Sequence, residues 1–93
     1  MSATNEVQES VLISNRYGLH ARPAAEFVKL ANRFEAEIWV RKQDLEVNGK
    51  SIMGMMMLAA ECGSEITIRA TGADAQLAVS ELRALVERRF GEE

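Results

Sequence analysis

Hydrophobic and polar positions follow one another along the chain with periods that change several times, and each change predicts a new element. Apolar residues between Val7 and Ile13 recur with imperfect alternation, which predicts a first strand. From Ala21 to about Arg33 the spacing becomes that of a helix with one buried stripe. The stripe consists of Ala24, Phe27, Val28, Ala31 and Phe34.

The middle of the chain predicts a hairpin followed by a second helix. The stretches Glu37–Arg41 and Leu45–Val47 are rich in strand-forming residues and are separated by a short polar turn. Ser51 is a good N-cap for a helix over Ile52–Cys62, and Gly63 is expected to end that helix.

The last third of the chain predicts one more strand and one more helix. Isoleucines alternate with polar residues over Glu65–Ala70, and Asp74 is expected to cap a helix whose apolar face continues to near Phe90. The resulting order, βαββαβα, packs most simply as a four-stranded sheet with helices on one face. The hairpin makes part of the sheet antiparallel, but the pattern leaves the strand order open, and a ferredoxin-like arrangement is one alternative.

Length and composition narrow the class of protein. With 93 residues, of which 47% are hydrophobic, the chain is expected to form one domain, with a frayed polar start over residues 1–6. A net charge of −3 and the absence of a basic run argue against nucleic-acid binding. The start lacks the features of a signal peptide, and the longest apolar stretch, Ile52–Ala60, is too short to span a bilayer. We therefore predict a soluble, cytoplasmic protein.

Cys62 is the chain's one cysteine, so it cannot form an internal disulfide, and we expect it to be a buried small hydrophobic residue. One histidine and one cysteine provide no recognisable set of metal ligands. The Gly49-Lys50-Ser51 stretch is not a phosphate-binding loop, because Asp44 occupies the position where that motif needs a glycine.

The second helix is unusual because it carries two apolar stripes. Four of the chain's five methionines lie between Met53 and Met57. One stripe, with helical spacing, is Met55, Leu58, Ala59 and Cys62; the other, roughly opposite, is Met53, Met56, Met57 and Ala60. A sheet with helices on one face buries one stripe, so the other is expected to form an exposed apolar patch for partners, unless the small domain buries both. Periodicity does not decide which stripe faces out.

His20 is the strongest candidate for chemistry. It lies immediately before the first helix, and Pro23 is tolerated in the first helical turn, where N–H groups have no intrahelical partner. These free N–H groups and the positive end of the helix dipole favour an anion, and Arg22 adds a planar set of donors. The alternatives are a polar capping residue without function, or the base of a small hydrolase.

Two motifs in combination resemble the HPr family, the histidine-containing phosphocarrier proteins of the bacterial phosphoenolpyruvate-dependent phosphotransferase system. They are Asn15 with the run Gly18–Ala24, and Lys50–Gly54 at the start of the second helix, and the resemblance extends over roughly Val7–Phe90. It implies an open-faced α+β sandwich with an antiparallel sheet in the order 1-4-2-3. It also implies a carrier without cofactor or metal, rather than an enzyme. His20 would accept a phosphoryl group on Nδ1 from phosphorylated enzyme I and pass it to an enzyme IIA domain.

The resemblance also assigns roles to the residues around the two motifs. The backbone N–H groups of Ala21 and Arg22 and the Arg22 guanidinium would contact the phosphoryl group. Ser51 matches a regulatory serine that an HPr kinase/phosphorylase modifies in some bacteria. The partner-binding residues would be Leu19, Ile52, Met53 and Met56, which leaves the Met55 stripe in the core.

Two questions stay open at this level. The methionine run Met55–Met57 and the Asn48-Gly49 turn depart from typical sugar-transport members and lean toward branches with regulatory, nitrogen-linked or incomplete phosphotransferase systems. The chain, expected to be a monomer, could alternatively be a non-catalytic regulatory module that binds partners through the second helix and Ser51. His20 discriminates between the two readings, because a module that only binds has no need of it.

Overall fold

The computed structural model describes residues 5–92, and within them every predicted strand and helix is present. The elements are β1 (Glu6–Leu12), α1 (Ala21–Ala31), β2 (Glu37–Lys42), β3 (Leu45–Asn48), α2 (Ile52–Met57), β4 (Glu65–Thr71) and α3 (Ala75–Glu87), followed by a short turn over Arg89–Gly91. The predicted frayed start is wrong at Glu6, which pairs with Thr71 in the sheet, whereas residues 1–4 lie outside the described residues.

The four strands form one antiparallel sheet in the order β1-β4-β2-β3. This order confirms the arrangement that the family resemblance implies and replaces the ferredoxin-like alternative. Burial alternates along β4, where Ile66, Ile68 and Ala70 face the core and the residues between them lie on the open face of the sheet. The sheet is therefore covered by helices on one face.

The core lies between the sheet and the helices. Its largest fully buried side chains come from every layer: Phe27, Ile13, Ile38, Met55, Ile66, Ile68, Leu82, Val40, Val79 and Val86. The apolar stripes of α1 and α3 face this core as their periodicity predicts. The helix starts are therefore fixed relative to the sheet, and the loop before α1 is held at one end of it.

The second helix is shorter than its sequence pattern predicts. α2 ends at Met57, because Ala59 adopts the left-handed region with φ +49 and the chain leaves the helical path. Lys42 Nζ donates to the carbonyl oxygens of Leu58 and Ala59 at 3.3 and 3.2 Å, so a side chain from β2 satisfies the freed carbonyls. The prediction of a buried Cys62 is wrong as well, since the early helix end leaves Cys62 exposed in the following loop.

The two predicted N-caps behave differently. Ser51 caps α2 as expected, with its Oγ accepting the N–H of Gly54 at 3.1 Å. Asp74 precedes α3 but does not cap it; its carboxylate instead accepts the N–H groups of Glu35 and Ala36 at 2.9 and 2.8 Å. These bonds, with that of Glu35 the strongest influence, hold the pKa of Asp74 below its ordinary value. Asp74 thus fixes the turn that leads into β2.

Candidate phosphoryl-transfer site

The loop before α1 is held by a close backbone approach. Gly18 has φ +68, and the N–H of the next residue, Leu19, donates to the carbonyl oxygen of Ala60 at 2.8 Å. A Cβ at position 18 would overlap that carbonyl and lie 2.9 Å from Glu61 Cα, so the loop requires glycine. This contact fixes the loop against the segment that follows α2.

His20 stands at the N-cap of α1 with extended backbone and no side-chain capping bond. Its side chain is 41% exposed, and Nε2 lies 3.2 Å from Oε1 of Glu92. Within residues 5–92 no hydrogen bond engages Nδ1. The ring of Tyr17 meets the imidazole edge to face, with centroids 6.3 Å apart. One ring nitrogen is therefore occupied, and the other is available to a partner.

The first turn of α1 provides donors beside this histidine. Within the described part of the chain, the backbone N–H groups of Ala21 and Arg22 have no backbone partner, and the first bond back toward His20 comes from Ala24, at 3.0 Å. The Arg22 side chain is exposed, and its guanidinium makes no ion pair in the same part of the chain. An anion at His20 would meet free N–H groups, the positive end of an 11-residue helix and a guanidinium together.

An exposed apolar surface lies on α2, which packs against α1. Ile52, Met53, Met56 and Met57, here called the methionine patch, are all exposed, and Met53 is the most exposed at 76%. Met55 is fully buried. The structure therefore exposes the methionines of one stripe and buries Met55 and Leu58 of the other, and the alternative in which both are buried is wrong. Beyond Met57, where the helix ends, both predicted stripes are wrong: Ala59 and Cys62 are exposed, and Ala60 is buried.

One expected member of this surface is not on it. Leu19 is 5% exposed and belongs to the core, because its backbone is tied to Ala60 and its side chain turns inward. The expectation that Leu19 completes the contact surface is therefore wrong. Tyr17, which is 70% exposed, occupies the surface beside His20 instead, with the Arg16 guanidinium 5.3 Å from its ring centroid.

Comparisons with known proteins agree with this geometry. A family model described as "PTS HPr component phosphorylation site" matches residues 7–88. The chain belongs to the HPr family. It is 46% identical over 86 residues to the phosphocarrier protein HPr of Neisseria meningitidis serogroup A, covering 92% of this chain and 97% of that protein. It is also 47% identical over 81 residues to the HPr-like protein Crh of Bacillus subtilis, covering 87% of this chain and 95% of that protein.

Solved structures show the same fold. The HPr-C-His structure from Thermoanaerobacter tengcongensis superposes with a TM-score of 0.90 at 45% identity, covering 94% of this chain and 98% of that one. HPr from that organism has also been solved as a dimer, with a TM-score of 0.75, 46% identity and coverage of 88% and 94%. The chain is accordingly a phosphocarrier protein of the phosphotransferase system, with an open-faced HPr sandwich.

This HPr family member carries its candidate regulatory serine at the edge of the methionine patch. Ser51 is half-buried, and its Oγ is engaged with the backbone of α2. The neighbouring Lys50 donates from Nζ to the carbonyl oxygen of Phe34 at 2.6 Å, and Asn32 donates to the carbonyl oxygen of Lys50 at 3.3 Å. Lys50, the residue before Ser51, is therefore tied to the segment that follows α1.

Two residues near His20 have roles that the sequence pattern does not reveal. Glu92 reaches His20 from the far end of the chain, and Asn15, quoted above only as part of a motif, is fully buried beneath both. The apolar stripe of the last helix indicates that Phe90 packs on the core, but no periodicity signals the chain reversal after it. Sequence alone could not place Glu92 at the site.

Other site types find no support in residues 5–92. No group of three or more histidine, cysteine, aspartate or glutamate residues there is placed to hold a metal ion. In the same range, each helix is too short or too polar to cross a bilayer.

Proposed function

We propose that His20 is the phosphoryl acceptor of this phosphocarrier and that Arg22 stabilises the transferred group. The observation that carries the proposal is the arrangement of the ring, with Nε2 occupied by Glu92 and Nδ1 free beside the open N-terminus of α1. Nδ1 forms a bond to phosphorus while the bond from phosphorus to the donor atom of phosphorylated enzyme I breaks, and that donor keeps the electron pair. The proton on Nε2 stays in place, so no separate base is needed.

The site stabilises the phosphoryl group only moderately. The N–H groups of Ala21 and Arg22 at a helix terminus contribute about 0.3–2 kcal/mol, and a charge-assisted bond from the Arg22 guanidinium about 1.5–3 kcal/mol. The half-exposed imidazole and the exposed guanidinium stay accessible to a second protein. A carrier requires this balance, because a tightly enclosed phosphoryl group could not be passed on to an enzyme IIA domain.

Incubation with phosphoenolpyruvate and enzyme I tests the proposal. We expect an acid-labile, base-stable adduct that is absent in His20→Ala. Arg22→Ala should slow the reaction about ten- to a hundredfold, as expected for a lost charge-assisted bond. The matched variant Arg33→Ala, just beyond the other end of α1, should react at the wild-type rate. Absence of an adduct with a competent enzyme I would refute the assignment of His20.

We further propose that enzyme I and the enzyme IIA domain dock on the methionine patch around Ile52, Met53 and Met56. Flexible, polarizable side chains suit a surface that must fit more than one partner. Met53→Gln should weaken binding to enzyme I by about 1 kcal/mol, the loss typical of a contributing contact residue. Leu77→Gln, which alters an exposed residue of α3 (54% exposed), is the control and should not affect binding. Equal affinities in titration calorimetry would contradict this docking surface.

Ser51 is proposed as a regulatory phosphorylation site in hosts that have the HPr kinase/phosphorylase. A phosphoserine, with a charge of about −1.5 to −2, suits the start of its own helix, so its effect should fall on docking rather than folding. Ser51→Asp should slow phosphorylation of His20 and leave the thermal midpoint unchanged. Ser51→Ala should lower the free energy of unfolding by about 1 kcal/mol, because the helix cap is lost. It should leave the rate of His20 phosphorylation unchanged. A Ser51→Asp variant as fast as wild type would contradict the docking argument.

A regulatory module is the second candidate function, favoured by the 47% identity to the HPr-like protein Crh. It would use the methionine patch and Ser51 and leave His20 idle. The adduct experiment separates the two functions, since a pure regulator gives no phosphohistidine.

We also propose that the chain acts as a monomer, which sedimentation velocity tests. The dimeric HPr structure from Thermoanaerobacter tengcongensis shows that association occurs in the family.

A further inference from the structure

The chain reverses sharply after α3 to form what we call the C-terminal hook, Arg89–Glu92. Three consecutive residues, Arg89, Phe90 and Gly91, adopt left-handed backbone conformations, with φ of 59, 56 and 76. Such conformations are unfavourable for arginine and phenylalanine and persist where packing imposes them. Phe90 supplies that packing, because its side chain is 9% exposed and belongs to the core. The hook directs Glu92 to His20.

Asn15 holds the end of this hook from below. Its side chain is completely buried, and Nδ2 donates to the carbonyl oxygen of Gly18 at 2.8 Å and to Oε1 of Glu92 at 3.1 Å. The same Oε1 lies 3.2 Å from Nε2 of His20. One carboxylate oxygen is thus shared between a buried amide and the imidazole.

The stability of the fold does not by itself explain why an asparagine occupies position 15. Oδ1 of Asn15 is buried and has no hydrogen-bond partner within the described residues. A buried polar atom without a partner is costly, so an apolar residue would suit this position better if it served only the fold. An aspartate would not serve either, since its charge would repel Glu92. What the position provides is a neutral amide group whose N–H groups reach both the Gly18 carbonyl and the Glu92 carboxylate.

We propose that Asn15 is a positioning residue, which holds the Glu92 carboxylate so that Nε2 of His20 carries the ring hydrogen and Nδ1 keeps its lone pair. This inference rests on the proposed function of His20. An ionised carboxylate only accepts hydrogen bonds, so it selects the tautomer with hydrogen on Nε2. When Nδ1 bonds to phosphorus the ring gains positive charge, which the Glu92 carboxylate offsets.

The tautomer of His20 is measured directly by a long-range ¹H–¹⁵N correlation spectrum of the imidazole at about pH 9, where histidine side chains are neutral. The untagged chain has one histidine, so the signals need no assignment. We expect one tautomer in the wild type and a mixture in Glu92→Ala and Asn15→Leu. Glu92→Gln should restore the single tautomer, because its amide oxygen can accept from Nε2. Glu81→Ala, which removes an exposed carboxylate from α3, is the charge-matched control and should not alter it.

Phosphorylation by enzyme I provides the second readout. Glu92→Ala and Asn15→Leu should each react about ten- to a hundredfold more slowly, as expected for one lost hydrogen bond to a charged group. The double variant should be no slower than Glu92→Ala, because Asn15 acts through Glu92. Should Asn15→Leu fail to fold, Glu92→Ala, altered near the chain end, tests the geometry by itself.

The outcomes separate this inference from the proposed function. A wild-type chain that is phosphorylated, with an unchanged tautomer in Glu92→Ala, overturns the positioning role and leaves His20 as acceptor. Additive rate losses in the double variant overturn the route through Glu92. A wild-type chain that is not phosphorylated, but whose tautomer responds to Glu92→Ala, overturns the proposed function and leaves the hydrogen-bond geometry standing.

Discussion

Replacing Gly18 with alanine tests the contact that fixes the loop of His20. The new Cβ would overlap the carbonyl oxygen of Ala60 and lie 2.9 Å from Glu61 Cα, both backbone atoms that cannot rotate away. The left-handed φ of +68 adds a second penalty. Gly18→Ala therefore combines a conformational cost with a steric one.

Two other glycines separate these costs. Gly63 and Gly91 also have left-handed φ, +95 and +76, but a Cβ on either meets no atom within 4 Å. Alanine at these positions should cost about 1–2 kcal/mol for the backbone alone. Gly18→Ala should cost a further 1–3 kcal/mol or so for overpacking, about 2–5 kcal/mol in all. That loss is a large share of the stability of a small domain, so Gly18→Ala is best studied at low temperature.

Urea unfolding followed by the fluorescence of Trp39, the chain's one tryptophan, measures these differences. The folded Gly18→Ala variant should also be phosphorylated more slowly, by about ten- to a hundredfold, because displacement of the loop moves His20. If Gly18→Ala and Gly91→Ala lose equal stability, the close approach of Gly18 to Ala60 does not exist in solution, and the structural basis for placing His20 fails.

Three further predictions concern other parts of the fold. Ala59→Gly should stabilise the protein by about 0.5 kcal/mol in urea unfolding. Glycine relieves left-handed backbone strain of about 1–2 kcal/mol, which is partly offset by about 0.4–1 kcal/mol of added conformational freedom in the unfolded chain. A loss of stability would contradict the φ of +49 at Ala59. Asp74→Asn should destabilise the protein at neutral pH, and its difference from wild type should shrink as pH falls below 3.8, since a carboxyl whose pKa is lowered in the fold stabilises it only while ionised; a difference that does not change with pH would contradict the bonds to Glu35 and Ala36. Cys62 should react with a thiol reagent in the native protein as fast as in the unfolded chain, because it is exposed. A slower reaction in the native protein would contradict this exposure and support the buried position predicted from the sequence.

The sequence pattern predicts much of this fold because the core repeats at regular spacing. The stripes of α1 and α3 and the alternation in β4 each bury the residues that their period assigns to the core. The errors occur where a tertiary contact overrides the pattern. The apolar run after Met57 continues, but Lys42 satisfies the carbonyls of a helix that has already ended. Asp74 has the right type and position for a cap, but the free N–H groups of a neighbouring turn bind its carboxylate instead.

The candidate site divides in the same way. The placement of His20 before a helix that begins at Ala21 is local, since it depends on Pro23 and the apolar period, and the sequence predicts it. Glu92 is 72 residues from His20 along the chain, and the reversal that brings it there uses arginine and phenylalanine where glycine would be expected. No local preference encodes that reversal. It depends on the space that the finished core leaves for Phe90.

The rigid and exposed parts of this site fit the needs of a carrier. Backbone atoms of Gly18 and Leu19 fix where the imidazole stands, and the buried amide of Asn15 holds the Glu92 carboxylate that contacts the ring. The groups that would touch a phosphoryl group, the His20 ring and the Arg22 guanidinium, remain half-exposed or exposed. Because position is set from beneath the surface, a partner can cover the outer face and take the phosphoryl group without disturbing what holds the histidine. Substitutions beneath the ring should therefore slow both transfers of the phosphoryl group, from enzyme I to His20 and from His20 to an enzyme IIA domain, by similar factors. Substitutions in the methionine patch should change the two rates by different factors, because each partner makes its own contacts with that surface.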